Sequence, residues 1–331
     1  KMLKFNEDAI KKDVEETLAL RKDVEVAVKK ICEKGYDNIF LVGIGGTYAV
    51  AEELMSYLKG HSKIEIYLEN AADLTAEGNT KLEEKSVMVI TSATGNTPEM
   101  TDAVRYGKEK GATILGFVDE KDSPLAKETE ILFSCKGGAY LKLLVIMLAF
   151  MKEKGEFELY YLFYQQAESL GDALINVQKE ADKKTEEFAE KHGEDSMHYV
   201  VGGGMLKGAA YSYAMCYMEE MLWMRTKSIS CADFFHGTLE IIEKDTNVTL
   251  FKGEDHGRAQ AERVERFLPR ICDNITVFDT KEYHTPGIDD TFRELLTPMV
   301  MAAIYARINV HLENVRKHPM EIRRYYHKLD Y

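Results

Sequence analysis

Proline is scarce in this sequence, at 6 of 331 residues, and cysteine is scarcer, at 5. The cysteines Cys32, Cys135, Cys216, Cys231 and Cys272 are odd in number and scattered, with no C-x-x-C pair and no Cys/His cluster at metal spacing. That excludes a disulfide framework and a zinc module, and the thiols read as reduced ones in a cytoplasmic protein. Positive charge is also short: 43 Lys+Arg face 56 Asp+Glu, a net charge of −13. Such a field disfavours nucleic acid and anionic membranes as partners, so any small anionic ligand must be gripped by local amides and hydroxyls. Long apolar runs are lacking too. The longest candidate, Leu141 to Met151, falls short of the roughly 20 residues a membrane span needs, and KMLKFNEDAIKKDVEETL at the start has no apolar h-region.

What is present is a globular composition, 45% hydrophobic and 30% charged, in a chain long enough for two related or fused units. Residues 5–34 carry apolar positions at helical spacing up to Gly35 and predict an amphipathic lead-in helix. Short apolar runs at 37–42, 64–68, 86–91, 112–117 and 130–133 alternate with helix-length segments, the pattern of a parallel sheet covered on both faces. Residues 156–192 are helical and heavily charged and read as a connector. A second set of runs, at 197–201, 227–231, 247–251 and 274–278, repeats the alternation. Gly43 and Gly202 hold matching places after the first run of each set, so the chain reads as one α/β unit written twice.

Two segments of the first half point to anion binding. In VITSATGNTPEM, Ser92, Thr94, Gly95 and Thr97 crowd the start of a helix at Pro98, where orphan amides and the positive dipole end meet three hydroxyls. The bland alternative is plain capping by Thr97. In GIGGTY, Gly45 and Gly46 let a ligand approach the backbone and Thr47 adds a hydroxyl. Gly43 and Gly45 fit the first two positions of G-x-G-x-x-G, but the third glycine is missing and no acidic residue ends the second strand in a convincing dinucleotide pattern. A nicotinamide cofactor is disfavoured.

These residues resemble the sugar isomerase (SIS) domain, whose phosphosugar loop often reads S-x-S-G-x-T, with Ala93 in place of a frequent Gln. The second half is similar to the isomerase half of glucosamine-6-phosphate synthase and to fructosamine-6-phosphate deglycases, with Glu220 sixteen residues before His236 in HGTLEII and Thr238 where those families usually have Pro. The ending HPMEIRRYYHKLDY resembles the deglycase tail. The resemblance implies two tandem doubly wound α/β domains of SIS type, with a helical N-terminal lead-in at 1–34, domains at 35–155 and 195–310, a connector at 156–194 and a C-terminal tail at 311–331. It implies a phosphosugar-amine substrate and a homodimer whose sites are shared, the histidine coming from the partner copy.

The chemistry suits the residues as well. Cleaving a fructosamine 6-phosphate needs ring opening, a proton shift between C1 and C2 through an enaminol, and hydrolysis of the imine. Glu220, its pKa raised in a partly desolvated cleft, can shuttle the proton, while His236 can serve ring opening or the water. The amine nitrogen supplies the electron sink, so neither metal nor cofactor is called for. The bland readings are a solvated helix-face charge for Glu220 beside Glu219 and a backbone-satisfied histidine for His236. Lys328 is a possible Schiff-base amine or an exposed tail lysine. Arg323 and Arg324 are expected to pair with acidic side chains, and Trp223 with Met215, Met218, Met221 and Met224 to pack. Since the phosphate loop and Glu220 lie in different halves, the site is expected at a junction. The expected activity is hydrolysis of a 6-phosphorylated Amadori product, with a hexose 6-phosphate isomerase or a non-catalytic sugar-phosphate sensor as alternatives.

Overall fold

Asn38–Gly43 (NIFLVG), buried at all six positions, forms the first strand, β1. A continuous apolar run of this kind is what a parallel sheet with both faces covered requires. The computed structural model describes residues 2–331, and the chain divides into two compact units, 8–171 and 172–331, the second joined by the residues before Asp8.

The first unit opens with helices α1 (Glu7–Ala19) and α2 (Arg21–Lys34). The single helix expected over 5–34 is therefore two. At Leu20 the ladder tightens, Leu20 N–H donating three residues back to the Thr17 carbonyl at 3.2 Å, while the buried stripe of Val14, Thr17, Val24, Val28 and Ile31 continues unbroken. Periodicity reports the buried face, not the continuity of the hydrogen bonds. Helices α3 (Gly46–His61), α4 (Ala71–Glu77), α5 (Pro98–Glu109) and α6 (Pro124–Glu128) alternate with strands β2 (Ile66–Asn70), β3 (Ser86–Ser92), β4 (Thr113–Val118) and β5 (Ile131–Phe133). The five strands are parallel in the order β2-β1-β3-β4-β5. Helix α7 (Ala139–Glu153) carries the longest apolar run and is buried from Tyr140 through Met151, as a helix apolar on every side must be. Helix α8 (Tyr160–Ala167) follows.

Helix α9 (Leu170–His192) contains the division between the units, which thus falls inside the connector instead of at its ends. The second sheet, β6 (His198–Gly202), β7 (Thr226–Ser230), β8 (Val248–Lys252) and β9 (Ile275–Asp279), is parallel in the order β7-β6-β8-β9, the same winding with one strand fewer. Helix α10 (Leu206–Ser212) continues as a π-helix over Tyr213–Met221. Helices α11 (Cys231–Phe234), α12 (Arg258–Phe267) and α13 (Arg293–Arg316) complete the unit. The architecture is two doubly wound α/β units, as the sequence predicts.

Three expectations need correction. Helix α13 runs past residue 310, so the irregular tail begins at Lys317, which ends the helix in the left-handed region at φ 51°. The stretch 290–316 is long and apolar enough by composition to cross a membrane, contrary to the reading that no such stretch exists; charges such as Arg307 interrupt it in sequence, and 72% of its apolar 18-residue window is buried, as in a core helix. Strand β2 does carry an acidic residue near its end, Glu69, whose Oε1 accepts from the Asn79 side-chain amide at 2.6 Å. The case against a dinucleotide pattern therefore rests on the missing third glycine.

Candidate functional site

In the first unit the chain winds outward from β1 to β2 and returns to β3 on the other side, so the loops after β1 and β3 flank the topological switch point, where open α/β sheets bind ligands. Both segments singled out in the sequence lie there. Gly43 ends β1 because a side chain would press within 2.6 Å of the backbone of Thr47 and Tyr48. Gly45 follows at φ 56°, and a β-carbon placed on it meets nothing within 4 Å. The Gly46 N–H has no hydrogen-bond partner among the described residues. Thr47 differs from its expected role: its hydroxyl donates to the Ile44 carbonyl at 3.0 Å and accepts the Ile44 N–H at 3.1 Å. It shapes the turn and leaves the amide of Gly46, not its own hydroxyl, as the open donor.

The loop after β3 keeps its donors. Ser92 Oγ accepts the Gly95 N–H at 2.9 Å and Thr94 Oγ1 accepts the Asn96 N–H at 3.2 Å, so each hydroxyl still has its proton to give. Thr97 stands at the N-cap of α5 but makes no capping bond. The plain capping alternative thus fails for the hydroxyl that should have carried it. The loop is held rigidly: Gly95, at φ 64°, lies where a β-carbon would come 2.0 Å from Ser123 Oγ, and its carbonyl accepts the Leu125 N–H at 3.1 Å. Beside it, Asp119 donates its N–H to the Ser92 carbonyl at 3.1 Å and binds Lys142 Nζ at 2.7 Å. Burial raises the Asp119 carboxyl above its ordinary value despite the lysine. Lys142 is 3% exposed, and its only trace in the sequence is one charge inside an apolar run.

In the second unit the π-helix sets Glu220 one residue before its end. π-Segments recur at functional sites because the extra residue per turn re-aims side chains. The neighbouring acids separate: Glu219 accepts from the Thr226 hydroxyl, and Glu220 Oε1 accepts from Arg323 Nη2 at 2.8 Å and Nε at 3.1 Å. Glu220 is 23% exposed on its side chain, neither solvated nor sealed. The tail continues across the same helix end, Arg324 lying 4.1 Å over the Trp223 ring and His318 packing edge-on to it at 4.4 Å. The sequence foresaw an acidic partner for Arg323 but not which one. Met218 and Met224 are buried, in keeping with packing.

His236 follows α11 and is exposed; its N–H donates to the Asp233 carbonyl at 2.9 Å, and its ring has no hydrogen-bond partner among the described residues. The helix it was expected to open is a four-residue 3-10 turn, Thr238–Ile241, after Gly237 at φ 154°. Lys328 is exposed in the tail, its N–H bonded to the Tyr325 carbonyl at 2.8 Å and its ammonium unpaired among the described residues.

An open glycine turn and a hydroxyl loop stand at the switch point of a five-stranded parallel sheet, and residues 34–149, which contain them, match the model of the SIS domain. The chain thus carries a SIS domain in its first unit. It is similar over 95% of its length to fructosamine deglycase FrlB of Bacillus subtilis, 27% identical and covering 99% of that protein. It is 23% identical to fructoselysine 6-phosphate deglycase of Escherichia coli, with 92% of this chain and 89% of the other aligned. A crystal structure of a Bacillus subtilis protein described as a candidate phosphosugar isomerase superposes with a TM-score of 0.89 at 25% identity, covering 96% of this chain and 99% of that one.

Proposed function

We propose that the protein is a deglycase that hydrolyses a 6-phosphorylated Amadori product, such as fructoselysine 6-phosphate, to glucose 6-phosphate and the free amine. The observation that carries this reading is the nearly end-to-end similarity to two deglycases, together with a carboxylate held at the end of a π-helix. In this reading Ser92, Thr94 and Thr97, with the amides of Gly45 and Gly46, grip the phosphate through neutral donors. Thr47 supports the turn.

The ring opens with His236 relaying the proton between ring oxygen and hydroxyl. Glu220 removes a proton from C1, giving the enaminol, and returns it to C2, leaving an imine between C1 and the amine. Water then adds to the imine carbon, and collapse releases the amine and the aldehyde of glucose 6-phosphate. Arg323 fixes the carboxylate's orientation by its two hydrogen bonds. The exposed, unpartnered ring of His236 is consistent with delivery to a second copy, and we read the protein as a homodimer on that ground; light scattering tests it. Lys328 takes no step.

Incubation with synthetic fructoselysine 6-phosphate and other amino-acid adducts, with separate detection of glucose 6-phosphate and of free amine, tests the activity. Equimolar release of both is expected. Interconversion of hexose 6-phosphates without amine release would replace this reading by the isomerase, and ligand binding with no turnover would replace it by the sensor.

A further inference from the structure

The two units repeat the same turn with different contents. Gly204 stands two residues past the end of β6 as Gly45 stands two past the end of β1, and their φ values are 55° and 56°. Gly202 and Gly43 are likewise equivalent, each barred from a side chain by the backbone four residues on, Leu206 O at 2.2 Å and Thr47 C at 2.6 Å. Beyond this the correspondence ends. A β-carbon on Gly45 would meet open space, whereas one on Gly204 would lie 2.0 Å from Asp255 Oδ2. The amide after it, free in the first unit at Gly46, is in the second that of Met205, and it donates to Asp255 Oδ2 at 2.9 Å. The Gly257 N–H, just before α12, donates to the same oxygen at 3.1 Å.

Asp255 comes from the loop after β8, the strand equivalent to β3 in the second sheet order. It is 4% exposed, its Oδ1 has no partner, and no cation pairs with it among the described residues. A buried carboxylate is costly without compensation, and here the compensation is backbone N–H alone, the chemistry of a bound anion. The surrounding glycines fit this occupant: a β-carbon on Gly253 would come 2.6 Å from Oδ1, and one on Gly257 would come 2.4 Å from Gly204 Cα.

We propose that Asp255 is a built-in anion, a carboxylate that fills in the second unit the switch-point position the first unit leaves open, so that each chain has one phosphate site and not two. The assignment of phosphate to the open position rests on the proposed function; the filling of the second position does not. Removal of the carboxylate creates a vacancy that takes a free oxyanion, phosphate or sulfate.

The test is thermal denaturation of the wild type, Asp255→Ala and Asp255→Ser with inorganic phosphate from 0 to tens of millimolar, against chloride at matched ionic strength. The variants are expected to melt about 5 °C or more below wild type, and phosphate to restore more than half of that difference over and above its effect on the wild type. Equal phosphate shifts in variant and wild type, or variants as stable as wild type, overturn the proposal. If neither variant folds, refolding yields with and without phosphate decide: recovery in phosphate alone supports it, and no recovery in either overturns it. Failure of glucose 6-phosphate to stabilise the wild type would sink the phosphate reading of the first unit while leaving the rescue of the variants as it was.

Discussion

Gly45 and Gly204 share a place in the fold and a backbone conformation, yet one borders empty space and the other a carboxylate. Duplicated α/β units inherit the switch point as a geometric consequence of strand order, and what fills it is decided by a few residues in the following loops. In the first unit those residues are Ser92, Thr94 and Thr97, which retain donors. In the second a single aspartate satisfies the same kind of amides from within, and Glu220, to which the proposed function gives the proton transfer, sits at the far end of the helical run. Under the proposed function the comparison divides the labour: binding in the first unit, proton transfer in the second.

The largest expected effect tests that division directly. Glu220→Gln should lower kcat by about a thousandfold, within the usual range for a positioned acid-base group, with KM little changed. A large rise in KM with kcat preserved would move Glu220 to the binding side. Next come the paired glycines. Gly45→Ala carries the left-handed penalty of about 1–2 kcal/mol in open space. Gly204→Ala adds the collision with Asp255, about 1–3 kcal/mol more. Melting temperatures should therefore fall further for Gly204→Ala, and equal losses would contradict the difference in filling.

Response to pH should also separate the units. His198, fully buried at the start of β6, is held down to about 4 by desolvation, so the unfolded chain binds its proton first as pH falls. Its stabilising contribution is complete above about 6.5 and is lost as pH falls toward 4, a change of about 3 kcal/mol. His198→Asn, which keeps an acceptor for the Asn247 amide, should flatten that part of the stability curve. Glu53, buried in α3 of the first unit, has the opposite sign: burial and then the charge of Glu52 push its carboxyl well above the ordinary value. Its contribution is present at low pH and is lost as pH rises above the ordinary carboxylate value, so Glu53→Gln should raise the melting temperature at pH 8 and leave it unchanged at pH 4. The smallest effect is at the phosphate loop. Thr94→Ala removes one hydroxyl bond to an anion and should raise KM about tenfold with kcat retained.

Much of this was legible before any coordinates. All nine strand positions follow from apolar runs bounded by turn residues, and observed boundaries lie within two residues of the expected ones. The displacement is mostly toward the C-terminus because Gly43, Ser92 and Gly202 extend the ladder past the last apolar side chain. Hydropathy has no means of seeing a glycine that continues a strand. The hydroxyl loop was visible as a cluster of small polar residues before Pro98, but whether each hydroxyl was free or occupied was not. Thr47 and Thr94 look alike in sequence, and only the folded turn shows that the first has given its proton to Ile44.

Local sequence therefore determined the element order, the doubled unit and the hydroxyl and carboxylate residues on which the proposed function draws, because periodicity, turn chemistry and spacing act over a few residues. Tertiary structure alone decided that Arg323 meets Glu220 from 103 positions away and that Asp255 reaches the Met205 amide across 50. Such pairings join segments whose local sequences carry no mark of one another, and they form only when sheet winding brings loop ends together.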